Sequence, residues 1–114
     1  MMKEFMMIFV GGDYETSEVS PEEIGRRMQL WNKWVEELRA ESLFIDGRAL
    51  KNQEHQVNNQ DALVTDGPFV ETKELVTGYF VVKAQNLAQV TEMTKSYPDW
   101  DLGGRVQIRE IQTF

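Results

Sequence analysis

Two short stretches limit the folds open to this chain. FMMIFV (residues 5–10) and GYFVV (78–82) carry no charged side chain. Apolar runs this short, bounded by turn residues, suit buried strands better than helices. Neighbouring side chains on a strand point to opposite faces. Phe5, Met7 and Phe9 therefore share one face, and Met6, Ile8 and Val10 share the other. A sheet built on these two strands is apolar on both sides and asks for cover on both.

Between them the hydrophobic period lengthens. After Gly11-Gly12-Asp13 closes the first strand, Ser20 is placed as N-cap, Pro21 as the first helical residue and Glu23 as the partner in a capping box. Ile24, Met28, Trp31, Val35 and Leu38 then recur at helical spacing and predict one buried stripe to about residue 40. Leu30 and Trp34 flank that stripe and widen its apolar arc. Phe44 and Ile45 open a second extended segment that ends near Leu50. Asn58-Asn59 predicts a turn, and the residues around it a small hairpin near 54–65. TGYFVVKA (77–84) is a strand. Asn86 caps a second helix with Leu87, Val90, Thr94 and Tyr97 on one face, and Pro98 stops it. Beyond Gly103-Gly104, Val106 and Ile108 alternate with Arg105, Gln107 and Arg109, as in a half-exposed strand.

The order predicts an α+β domain of the ferredoxin-like β-α-β-β-α-β type, with one antiparallel sheet and both helices on one face. At 114 residues, one domain over 1–114 is the natural count. Two helices cover only one sheet face. A homodimer packed face to face would bury the other, and the long 50s loop with the chain ends would be the alternative cover.

Composition removes several functions. There is no cysteine and only one histidine, His55, so neither a thiolate nucleophile nor a metal site is expected, and no cofactor is implied. A net charge of -7 and a pI near 4.7 oppose binding to nucleic acid. No apolar run reaches the roughly 20 residues of a membrane-spanning helix. Glu4 breaks the apolar start and no small-residue cleavage site follows, so the start reads as a strand and the location as cytoplasmic. Gly11-Gly12 lacks the spacing of a phosphate loop. No serine has a histidine at a telling position, which leaves no Ser-His-Asp triad.

One polar segment stands out, TDGPFVETKE at 65–74. Asp66 sits beside Gly67 and Pro68, where little bulk shields its carboxylate and the backbone is approachable. It can serve as a general base or accept from a ligand's donor, and it can equally form a turn. Thr72 can donate and accept, and Lys73 can hold an anion. Trp34 can line a ligand space. Glu71 and Glu74 invite a paired-carboxylate reading, but nothing else points to sugar chemistry. The candidate set is thus Asp66 as catalytic or binding group, with Gly67, Pro68, Thr72, Lys73 and Trp34 as further ligand contacts.

The segments FMMIFVGGD, SPEE, WNKWVEELRAE, VTDGPFVETKE and GYFVVKA, spread along nearly the whole chain, resemble the YCII-related proteins, and DGPF resembles the branch named after that tetrapeptide. The resemblance implies a ferredoxin-like fold that dimerises into a barrel-like assembly. It also implies two possible roles. Some relatives are suspected enzymes with a His-Asp pair in a cleft, and DGPF-type domains resemble companions of sigma factors. Here Gln29, Leu30, Trp31 and Asn32 stand where that histidine is expected. The chain therefore reads as a dimeric module for a small polar ligand or for regulation. An isomerase- or lyase-like enzyme with Asp66 as base is the alternative, and an interaction domain without a small ligand is a third.

Overall fold

The computed structural model describes residues 1–61, 64–66 and 74–114, the middle segment by its backbone. Its elements are β1 (Lys3–Val10), α1 (Pro21–Ala40), β2 (Phe44–Ala49), β3 (His55–Val57), β4 (Val64–Asp66), β5 (Val76–Ala84), α2 (Leu87–Met93) and β6 (Arg105–Glu110). β1 and β5, the two uncharged stretches, lie in the middle of a four-stranded sheet of order β2-β5-β1-β6. Each neighbouring pair is antiparallel. This α+β arrangement is compatible with the ferredoxin-like fold. β3 and β4 pair as a separate antiparallel ribbon, in the region where the sequence places a hairpin.

Both helix starts form as their sequences dictate. Ser20 Oγ accepts from the Glu23 backbone N–H at 3.2 Å, with Pro21 following it. Asn86 Oδ1 accepts from the Gln89 N–H at 2.9 Å. Each cap satisfies one of the amides that a helix start leaves without a partner. At the far end of α1, Ser42 takes a positive φ of 59°, and Leu43 N–H closes back on the Leu38 carbonyl at 2.9 Å. That turn delivers the chain into β2.

Phe5, Met7 and Phe9 of β1 join Phe80, Val82 and Ala84 of β5, Trp34 and Leu38 of α1 and Val90 of α2 in one buried core. Aromatic rings fill its centre. Phe9 meets Trp31 and Phe80 edge to face at 4.9 and 5.0 Å between centroids. These are favoured aromatic geometries.

The buried stripe of α1 differs from the one the spacing predicts. Arg27, Trp34 and Leu38 are buried and Trp31 is partly so, whereas Met28 is 42% exposed. The stripe is rotated toward Trp34, which lies in the core and not beside it. Apolar periodicity missed this because a buried position carries an arginine. Of the face expected for the second helix, Val90, Thr94 and Tyr97 are buried, but α2 ends at Met93 and a 3-10 turn carries Thr94–Ser96, while Leu87 is 58% exposed at the first turn.

Among the described residues, no helix lies on the opposite sheet face. Register places Met6 between Val81 and Arg109, and Ile8 between Tyr79 and Gln107. Met6, Ile8, Tyr79 and Val81 are only half-buried. Asp46 and Arg48 extend these rows on β2. An apolar strip thus runs down the middle of the face, with polar side chains on both edge strands. Met1 and Phe114, at the chain ends, are fully exposed. β3 is exposed along its length.

Arg27 ties the helical layer to the loop before β6. It is 4% exposed. Its guanidinium reaches Asp99 at 3.0 Å, Asp101 at 2.7 and 2.9 Å, the Pro98 carbonyl at 3.2 Å and Glu23 at 3.1 Å. Asp99 is itself 5% exposed. Burial pushes its carboxyl above the usual aspartate range, against the pull of Arg27 and of the Tyr14 hydroxyl. Asp101, on the surface, is held below that range by its hydrogen bonds to Arg27.

These two shifts set the pH dependence of removing the cation. An aspartate raised in the fold gives up stability as pH climbs through its folded value, and one lowered in the fold gives up stability as pH falls. Arg27→Gln pushes Asp99 higher still and releases Asp101. Both changes cost most where the carboxylates are ionised. The variant should lose about 3–5 kcal/mol at pH 7, the cost of orphaning a buried charge. The loss should shrink at pH 4. Urea midpoints at the two pH values check this, and an equal loss at both would contradict it.

A cleft between the first helix and the sheet edge

A cleft of about 650 Å³ opens between α1, β2 and the loop that follows β1. It exists because the sheet lacks bulk there. Register pairs Gly47 with Phe80 and Ala49 with Gly78, on the side that faces the helices. Gly78 has no room for anything larger: a Cβ there would lie 2.7 Å from the Arg48 carbonyl oxygen and 3.3 Å from Ala49 Cα. Close approach of β2 and β5 thus requires glycine, and its missing side chain helps to leave the hollow.

Along the other wall run Met28, Trp31, Asn32, Val35 and Arg39 of α1. At 1.5 Å per residue this wall is about 16 Å long. Phe9, Trp31, Phe44 and Phe80 supply aromatic surface. Arg39 closes the end near β2, its guanidinium carbon 5.1 Å from the Phe44 ring centroid.

The other end is polar and begins at a tight turn. Gly11 and Gly12 take positive φ values of 71° and 63°. Gly12 also packs against Gly104, where a Cβ would lie 3.0 Å from the Gly104 Cα. This turn delivers Asp13, Tyr14 and Glu15 to the cleft. Asp13 is 7% exposed and its Oδ2 accepts from the Thr16 N–H at 3.0 Å and the Asn52 amide at 3.1 Å. The same Asn52 amide donates to Glu15 Oε2 at 3.2 Å. Tyr14 accepts from the Trp31 indole N–H at 3.0 Å and donates to Asp99 at 3.0 Å. Burial above all lifts the Tyr14 hydroxyl to about 12, so it stays protonated and keeps donating.

Chemically, the cleft offers an apolar floor, a neutral hydroxyl, two carboxylates bridged by one amide, and an arginine at the far end. Convergence of a few polar groups on an apolar concavity is the usual form of a small-molecule site. Among the described residues, no three or more histidine, aspartate or glutamate side chains cluster to hold a metal ion.

Asp66 ends β4 and pairs in register with the exposed His55 of β3. Gly67, Pro68, Thr72 and Lys73 lie outside the described residues. Trp34 does not line the cleft. It is 2% exposed in the core, and among the described residues its indole N–H has no partner. It borders a smaller hollow of about 250 Å³ between the two helices. Trp31, three residues earlier, is the tryptophan at the cleft. Trp100 donates its indole N–H to the Thr94 carbonyl at 3.1 Å and stands edge-on to Tyr97.

Sequence reasoning missed Asp13, Tyr14, Arg27 and Asp99. Arg27 leaves one trace, its position four residues before Trp31 and seven before Trp34 on the helix. Asp13, Tyr14 and Asp99 sit in loops, and only the fold brings them together.

No helix of the described residues is long and apolar enough to cross a membrane. A search of curated proteins finds no match. A family model of the YCII-related domain matches residues 7–114, from the middle of β1 to the end of the chain, and so takes in all of the sheet but the start of β1, both helices and every residue of the cleft. The chain belongs to the YCII-related domain family.

Proposed function

We propose that this chain is a dimeric module that binds a small, partly apolar ligand in the cleft beside α1, in a regulatory and not a catalytic role. The cleft itself carries this reading. Its volume falls in the 300–1,000 Å³ range typical of small-molecule sites, and polar groups gather at one end of an aromatic floor. Among the described residues no histidine lines the cleft, which favours the binding reading over acid–base chemistry. That alternative keeps Asp66 as base with Thr72 or Lys73 orienting the substrate. Asp66-Gly67-Pro68-Phe69 resembles the tetrapeptide of the DGPF branch, and that resemblance supports a sigma-factor system as the proposed functional partner.

A metabolite screen by thermal shift tests the reading. A ligand at about 100 times its Kd should add about 2.7 kcal/mol of stability, and its mass should be unchanged after incubation. A hit that is chemically altered supports the enzyme, and no hit at all supports an interaction domain.

The dimer rests on the helix-free face. Met6, Ile8, Tyr79 and Val81 form an apolar centre with charged edges, the anatomy of a protein interface. Two copies packed there would bury that strip. Light scattering at micromolar concentration should report twice the 13.3 kDa chain mass. Replacing Ile8 with glutamate should give the monomer. A wild-type monomer at that concentration contradicts the proposal.

A further inference from the structure

The cleft is electrically lopsided, and its asymmetry names a ligand class. Of the acidic groups along it, Asp99 is met by Arg27 at 3.0 Å and Asp46 by Arg48 at 2.6 Å. Asp13 and Glu15 have no cationic partner among the described residues. Both lean on one neutral amide, that of Asn52. Asp13 is 7% exposed, so little water reaches it. An amide gives each carboxylate one hydrogen bond and no charge. Arg39, without a carboxylate partner among the described residues, is on the last turn of α1, about 12 Å by helical rise from Trp31, the residue bonded to Tyr14. The half-buried Trp31 ring lines the same cleft, fixed by its N–H bond to Tyr14, the residue between Asp13 and Glu15. Carboxylate oxygens next to an aromatic face favour an ammonium group, through charged hydrogen bonds and attraction to the ring's π-electrons.

We infer that the cleft selects an organic amine, with its ammonium against Asp13 and Glu15, beside the Asn52 amide that bridges them, and its apolar body along Trp31 toward Phe80. The inference rests on the cleft being the ligand site. It adds the sign of the ligand's charge and the end at which that charge lies. A net charge of -7 favours approach of the same class.

Three probes of nearly one shape test it: 2-phenylethylamine, 2-phenylethanol and 3-phenylpropionate, each titrated at pH 7.5 with calorimetry. The amine should bind at least tenfold more tightly than the alcohol, and the carboxylate more weakly than either. Asp13→Asn should weaken the amine about tenfold, the effect of one charged hydrogen bond, and leave the alcohol unchanged. Glu15→Gln, at an exposed side chain, should weaken the amine in the same direction and serves if Asp13→Asn fails to fold. The inference is overturned if the carboxylate binds as well as the amine, or if amine affinity survives in the variants. Binding by none of the three overturns the cleft reading itself, and this inference with it.

Discussion

Arg27 is the interaction on which the rest of the architecture depends. A guanidinium that is 4% exposed is costly unless every charge around it is matched. Here it is held by Asp99, Asp101, Glu23 and the Pro98 carbonyl. Asp99 passes the restraint to Tyr14, and Tyr14 passes it to Trp31. Three parts of the chain far apart in sequence are joined this way: the loop after β1, the first turns of α1 and the segment before β6. The polar end of the cleft is made from these same parts. Its geometry is therefore fixed by a buried ion pair, whose directional bonds allow fewer arrangements than apolar packing does.

The sheet sets the remaining wall. Glycine at 78 lets β2 come close to β5, and Gly47 and Ala49 leave the helix-facing side of β2 nearly bare. The core is filled by aromatic rings up to Phe80 and Phe44 and stops there. The cleft is thus an edge of the core that was never packed, and α1 crosses over it without closing it. Fold and site share these residues, so changes at Gly78 or Phe80 act on both.

Much of the fold was legible in the sequence because its signals are local. The apolar runs of β1 and β5, the Ser20-Pro21 and Asn86 helix starts and the alternation in β6 each need only a few neighbouring residues. The rotation of α1 was not legible. Arg27 counts as polar in any hydrophobic pattern, and only the distant Asp99 and Asp101 make its burial tolerable. The cleft was hidden for a related reason, since Asp13 and Asp99 are 86 positions apart and neither lies in a motif. Sequence attention went instead to TDGPFVETKE, whose clustered Asp, Gly and Pro are conspicuous locally. Of its candidate polar groups the structure describes the Glu74 side chain and only the backbone of Asp66, and Trp34 lies in the core.

The central claim is that the ligand sits in the cleft beside α1. Titrating a thermal-shift hit into the isotopically labelled protein, with backbone amide shifts followed by NMR, tests it most directly. The account predicts that the largest shifts fall on residues 12–15, 31–35 and 47–49, with the exposed ribbon strand 55–57 unmoved. Shifts concentrated on residues 55–57 and 64–66, with residues 12–15 and 31–35 unchanged, would contradict it.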